Sequence, residues 1–467
     1  LLSCAFILFL TNIAATAELN GSEGEGEGEG DGEASPIVYV DATNTIGLAD
    51  GTSWATAFPA LQSGVDAAFA LGGAEVWVAA GRYGEARPLG GILLLREGVQ
   101  LYGGFTGIES DRSERDWVVN RTTIDGFTAN NGVPAATVVG GADNAVLDGF
   151  IVRGGRALSG GGMINNGRSP LIQHCVFTDN RALEFGAGMW NLNGATPKIY
   201  NCIFYNNRAD IHGGAISNDS SSPDIIGCTI AENSAPFRGA GIYNNIASSP
   251  RVVNTILWNN FPEEIGSTGD SAGSFTYCLI RTATPGLGNL SLNPLFRNSS
   301  IGNFELRGGS PAIDRGRDTG SVEFASLVRD YERVLRGFDG DGLGFSTGDG
   351  SDFDIGALEF SEEDANLQFH SADTDENFAI SLSELLRVIQ FFNSGGYRCV
   401  FGTEDGYAPG LGNCDSGSPH DSDYLPQDFI INLSELLRMA QFFNAPGGYE
   451  VDEESEDGYR AIFPELE

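Results

Sequence analysis

Lysine is almost missing from this chain. Only one of its 26 basic residues is a lysine, Lys198, and 467 residues include just four histidines and three methionines. So little lysine argues against chemistry that turns on a lysine amine. The histidines are scattered, which argues against a mononuclear His/Cys metal centre. Positive charge is scarce overall: 63 acids leave a formal net charge of −37. Such a chain repels nucleic acid and anionic surfaces unless cations intervene. Long apolar runs are also lacking. The run at 1–17 is too short to span a bilayer. It ends Ala15-Thr16-Ala17 before Glu18 and reads as a signal peptide whose start, without Met or a basic region, is truncated. Residues 18–36, with Glu and Gly alternating from Glu23 to Glu29, read as a solvated linker that cannot build a core.

What the chain does have is a repeat of 26 or 27 residues. Cys175, Cys202, Cys228 and Thr255 fall at equivalent positions, as do Pro170, Pro197, Pro223 and Pro250. A fixed period of this size signals a solenoid whose units bury their apolar sides against one another. Segments alternate with period two and lack helical periodicity, so the units are made of short strands. Four columns are expected to point inward: the Cys/Thr column, Phe177-Phe204-Ile230-Leu257, Met163-Met189-Ile216-Ile242, and Ile172-Ile199-Ile225-Val252. Three strands per turn predict a mainly β fold, a right-handed parallel β-helix over 37–360. Asn165, Asn191, Asn218 and Asn244 align, as do Asn180, Asn207, Asn233 and Asn260. They are read as left-handed turn residues whose amides also bond along the column. Stacked cysteines have parallel side-chain vectors, a poor geometry for bridging, so Cys175, Cys202 and Cys228 are read as packing residues.

Gly213-Gly214-Ala215-Ile216, with Phe177-Thr178-Asp179-Asn180 and Phe204-Tyr205-Asn206-Asn207, resembles the paired repeats of polymorphic outer membrane proteins over about 148–260. That resemblance implies a surface-displayed adhesive β-helix. Those proteins end in a membrane β-barrel and nothing here reads as one, so their mode of display is not implied. Leu61 to Ala70 reads as a short helix covering the open N-terminal end, with Leu61, Val65 and Ala68 on one face. Asn293-Pro294-Leu295-Phe296, Gly309-Ser310-Pro311-Ala312-Ile313-Asp314 and Asp354-Ile355-Gly356-Ala357-Leu358-Glu359-Phe360 resemble the choice-of-anchor Q domain. This implies closure of the C-terminal end and a surface location.

Residues 361–467 contain a duplication. Leu382-Ser383-Glu384-Leu385-Leu386-Arg387 recurs at 433–438, and Gln390-Phe391-Phe392-Asn393 at 441–444. Asp373, Asp375, Asn377 and Glu384 occupy positions 1, 3, 5 and 12 of a loop that would wrap oxygens around Ca²⁺, with the Ala379 carbonyl and Ser381 through water. Position 6 is Phe378, where such loops usually carry glycine. The second loop offers Asp423, Asp428, the Ile430 carbonyl, Asn432 and Glu435, with one residue inserted, and is expected to bind more weakly. The pair resembles EF-hand and dockerin-like modules of secreted proteins. Glutamate at position 12 departs from the common dockerin pattern, so a cohesin partner is not implied. Cys399 and Cys414 flank a loop here and are the expected disulfide pair.

Two functional readings follow. Trp190, Tyr205, Tyr243 and Trp258 are expected to face outward and offer rings to sugars or partner side chains. That points to adhesion or carbohydrate binding, with a polysaccharide or a matrix component as partner. The alternative is a polysaccharide lyase or hydrolase using the outward column Arg153, Asp179, Asn206, Glu232 and Asn259, with Arg181, Arg208, Asp210 and His212 nearby. A lyase predicts a groove in which Asp179, Glu232 and an arginine converge. An adhesin predicts a flat aromatic face.

Overall fold

The computed structural model describes residues 36–45, 49–84, 91–127, 136–299, 302–318, 329–337, 352–361, 370–374, 379–400, 407–412, 420–424, 427–452, 455 and 457–463. The expected signal peptide, most of the acidic linker, Asp375, Asn377 and Cys414 lie outside these residues.

Short β-rich segments wind into a right-handed parallel β-helix of about 7 turns. One face has nine strands, from Ile37–Val40 to Ser274–Thr276; a second has eight, from Gly81–Tyr83 to Leu279–Ile280; a third has seven, from Leu93–Leu94 to Ile265–Ser267. A fourth, smaller sheet stacks Arg156–Ala157, Arg181–Ala182 and Arg208–Ala209 in parallel. The register pairs Met163 with Met189 and Met189 with Ile216, Ile172 with Ile199, and Phe177 with Phe204. All four expected inward columns are fully buried. Phe177 and Phe204 stack with centroids 4.7 Å apart. The buried thiols are free, and each donates to a carbonyl of the preceding coil: Cys175 to Leu147, Cys202 to Ile172, Cys228 to Ile199.

The asparagine columns are continuous amide ladders. Nδ2 of Asn180, Asn207 and Asn233 donates to Oδ1 of the next asparagine at 3.0, 3.0 and 2.9 Å. Asn260 passes the chain to the buried Glu264 carboxylate, itself 2.7 Å from Arg281. The second ladder runs Asn165, Asn191, Asn218, Asn244 at 2.8 to 2.9 Å. The left-handed turn role expected of these residues is corrected. In the first column the positive φ sits one position earlier, at Gly154, Asp179, Asn206, Glu232 and Asn259.

The helix Leu61–Ala70 forms as expected and buries Leu61, Val65 and Ala68 over the first coils. The segment from 293 to 360 departs from expectation. Its described residues lie along the side of the solenoid, where Phe296, Phe304, Leu306, Ile355 and Leu358 cover the outward residues Val176, Ile203, Ala231 and Ile256 of the second face. It reaches Trp117, whose indole N–H donates to the Tyr331 carbonyl at 2.7 Å. A buried ion pair, Arg336–Glu359 at 3.0 Å, lies within it.

Residues 370–463 contribute a separate core that includes Ile380, Val388, Phe391, Tyr397, Ile431, Met439, Phe442 and Tyr449. Its helices Leu382–Asn393 and Leu433–Phe443 start with capping boxes at Ser381/Glu384 and Asn432/Glu435. Such boxes satisfy two of the four orphan amides at a helix start.

Candidate functional site

On the second face alternate side chains point away from the solenoid axis. The side segment covers most of that surface but leaves a groove of about 330 Å³. Arg121, Arg153, Thr178, Asp179 and Tyr205 line one wall; Asn303, Glu305 and Glu332 line the other. Arg153 and Asp179, both singled out from sequence, therefore line one groove, though not in one column. Arg153 is in register with Thr178, which continues to Tyr205, Ala231 and Trp258. Arg153 Nε lies 3.8 Å from Asp125, and its guanidinium packs 5.2 Å from the Phe127 ring centroid.

Asp179 sits in the left-handed turn and accepts a hydrogen bond from the Asn206 amide. Glu232 does not join the groove. Its Oε1 accepts from Ser299 Oγ at 2.8 Å and Asn259 Nδ2 at 3.1 Å, which ties the side segment to the turn column. The convergence of Asp179 and Glu232 required by the lyase expectation is absent among the described residues. Sequence reasoning missed Glu305 and Glu332, because only the side segment brings them to the groove.

The four aromatic residues stand on outward columns in two places, where neighbouring groups cover them in part or in full. Tyr205 is half-buried against Phe304, with centroids 5.5 Å apart, and Trp258 packs half-buried against the same apolar cluster. Trp190 and Tyr243 share an outward column of the third face. Tyr243 is buried, stacked 4.3 Å from His212, while Trp190 is half-buried beside Phe185. Rings on a coil surface pack on one another or under a covering segment because that removes apolar area from water.

In the C-terminal module the duplicated halves are exchanged. Tyr449, after the second helix, donates to Asp373 of the first loop at 2.6 Å; Tyr397, after the first helix, donates to Asp423 of the second at 2.7 Å. Ser371 N donates to Asp421 and Asp421 N donates to Ser371 Oγ, both at 2.7 Å. Glu384 Oε1 accepts from Thr374 N, and the Asp423 carboxylate accepts from Asp428 N and Phe429 N. In the second loop, Asp423, Asp428 and Glu435 are not gathered; among the described residues no three His, Cys, Asp or Glu come together to hold an ion. Ser381 and Asn432 serve as helix caps, and Ala379 and Ile430 remain at their loop positions. Cys399 is disulfide-bonded.

His370 is buried at the centre of the module, and its Nδ1 accepts from Ala372 N at 3.1 Å. Burial, with His420 and Arg438 nearby, holds its pKa well below the ordinary histidine value. The native state thus binds fewer protons than the unfolded chain. Its contribution to stability is complete above about pH 6.5 and is lost as pH falls below that value, by about 1.4 kcal/mol per unit. Unfolding of the module followed from pH 7.5 to 5.5 should show this loss, and His370→Asn should flatten it.

The right-handed β-helix region family matches residues 97–257. No curated protein matches the chain. Two crystal structures of the pectin methylesterase from Aspergillus niger, in deglycosylated and penultimately deglycosylated forms, are similar at 14% and 16% identity. Each match covers 55% of this chain and 83% of the other at a TM-score of 0.27. Likeness at that level carries no inference about activity. Among the described residues no helix is long and apolar enough to cross a membrane.

Proposed function

We propose that this chain is a carbohydrate-binding β-helix protein of the cell exterior whose C-terminal module is built around Ca²⁺. The observation that carries the binding reading is the groove: arginines, carboxylates and the Tyr205 ring converge on a space of about 330 Å³. A ring for stacking and a few oriented polar groups are what a sugar site requires. The exterior location is supported by the apolar start ending Ala15-Thr16-Ala17 and by the disulfide at Cys399. The test is a glycan screen with the full chain, followed by Tyr205→Ala. Loss of one ring contact should weaken binding about tenfold. Unchanged affinity in the variant, or no glycan bound, removes the reading. Cleavage is the second reading, favoured by Arg153, Asp179 and Glu305 lining one groove. It predicts new reducing ends from a polysaccharide that the groove binds.

For the module, Asp373, Glu384 and the Ala379 carbonyl would hold Ca²⁺ with Asp375 and Asn377, and the ion would supply structural cross-linking of the loop. Extracellular modules of this kind bind at roughly 10⁻⁴ to 10⁻³ M. Calorimetry on the full chain should show such a site, and Asp373→Ala with Glu384→Ala should remove it. No heat at millimolar Ca²⁺ would sink the assignment.

A further inference from the structure

We infer that the outer face of the small fourth sheet docks a linear anionic glycan, one that carries carboxylate or sulfate groups along its length. The sheet stacks Arg156, Arg181 and Arg208 in one in-register column. Neighbouring strands lie about 4.8 Å apart, and like charges directly beside each other across strands are destabilising. The fold compensates this column sparingly. Asp210 lies 2.9 Å from Arg181 and 3.5 Å from Arg208. Arg156 is exposed and forms no ion pair with any described residue. In a chain of net charge −37, three stacked arginines sharing one carboxylate are out of character with the rest of the surface.

The strip is rigid. Arg181 N donates to Gly155 O at 2.8 Å and Arg208 N to Asn180 O at 2.9 Å, while Ala182 and Ala209 are buried beneath it. Two residues beyond Arg156 and Arg181, on the same face, stand Leu158 and Leu183, exposed at 61% and 55%. The surface therefore sets three guanidinium groups beside two exposed leucines, and Asp210 takes the equivalent place beside Arg208. An anionic sugar chain laid along the solenoid axis presents matching chemistry: acidic groups for the arginines and C–H faces for the leucines.

Nucleic acid fits less well. Its charge repeats every 3.4 Å per strand, closer than the roughly 4.8 Å between neighbouring arginines of the column. The distant acids matter little to a bound glycan, because screening limits their reach to about 8 Å at physiological salt. The inference does not depend on the groove: its variants leave every groove residue intact, and its probe is the anionic glycan alone.

The test uses the full chain at 0.15 M salt in calorimetric titrations with a uronate hexasaccharide, a sulfated oligosaccharide, a neutral maltohexaose and a single-stranded oligonucleotide. An acidic oligosaccharide should bind and the neutral one should not. Arg156→Ala with Arg208→Ala should weaken that binding about tenfold. The melting temperature of the ligand-free double variant should equal or exceed that of the parent, because the change relieves repulsion. Arg96→Ala, on a distant surface, should bind as the parent does. Equal affinity for the neutral sugar, unchanged binding in the double variant, or preference for the oligonucleotide would each overturn the proposal.

Discussion

Arg336→Met is expected to cost about 3 to 5 kcal/mol of stability at pH 8, the range found when one member of a buried ion pair is removed. Nη1 of Arg336 donates to Glu359 at 3.0 Å, and Nη2 donates to Asn201 Oδ1 at 3.1 Å and Gly356 O at 2.9 Å. One side chain thus neutralises an acid within the side segment and ties that segment to a solenoid turn. Both side chains of the pair are almost fully buried. Burial raises the Glu359 carboxyl to about 7, and burial together with Glu359 raises Asp354 well above the usual range. With raised folded pKa values the native state binds more protons than the unfolded chain. This contribution to stability is fully present below about pH 4.5 and is lost as pH rises through 7.

Methionine in place of arginine leaves Glu359 buried without its cation, so the variant should be rescued in part at pH 5. Arg336→Met with Glu359→Leu should recover much of the loss, since replacing a whole buried pair by apolar residues is often neutral or better. Urea unfolding followed by tryptophan emission reads the effect, because Trp117 is bonded to Tyr331 of the same segment. A loss below about 1 kcal/mol in the single variant would mean that the pair contributes as little as a surface bridge.

The solenoid core was legible because its signal is local and periodic. Columns such as Phe177-Phe204-Ile230-Leu257 recur at nearly fixed spacing, and each must face inward for adjacent coils to stack. Legibility failed where one coil changed length. Arg153 pairs with Thr178, a spacing one residue shorter than the repeat, so it falls beside Tyr205 and Trp258 instead of Asp179. A slip of one residue moves a side chain to the other face of a strand. The groove was half legible for a different reason. Arg153, Asp179 and Tyr205 lie in the repeat, whereas Glu305 and Glu332 arrive on a segment held by contacts remote in sequence, such as Trp117 to Tyr331. No local period encodes such a contact.

The alternation of acids and amides at Asp179, Asn206, Glu232 and Asn259 reads from sequence as a poor catalytic constellation. In the structure each amide donates to the preceding acid, which keeps like charges from lying next to each other along the turn column.

Asn207→Ala should destabilise the solenoid by roughly 3 to 5 kcal/mol, because it strands several buried polar groups at about 1 to 3 kcal/mol each. Asn207 Oδ1 accepts from both the backbone N–H and the side-chain amide of Asn180, at 3.2 and 3.0 Å. Its Nδ2 donates to Phe177 O, Tyr205 O and Asn233 Oδ1, between 2.8 and 3.1 Å. Alanine supplies none of these, and the ladder loses a middle rung where water has no access. The residue is 1% exposed.

The same change at Asn166, which accepts from Asn193 on the surface, should stay within about 0.5 kcal/mol, because water replaces the lost bond. The contrast isolates burial from residue type. Because each coil contacts mainly its neighbours, loss of one rung should also weaken cooperativity between the coils on either side. Asn207→Ala should then broaden the denaturation curve as well as shift its midpoint. A sharp transition displaced by less than about 1 kcal/mol would show that the stacked apolar columns alone hold the coils in register, with the amide ladder adding no more than a single net hydrogen bond.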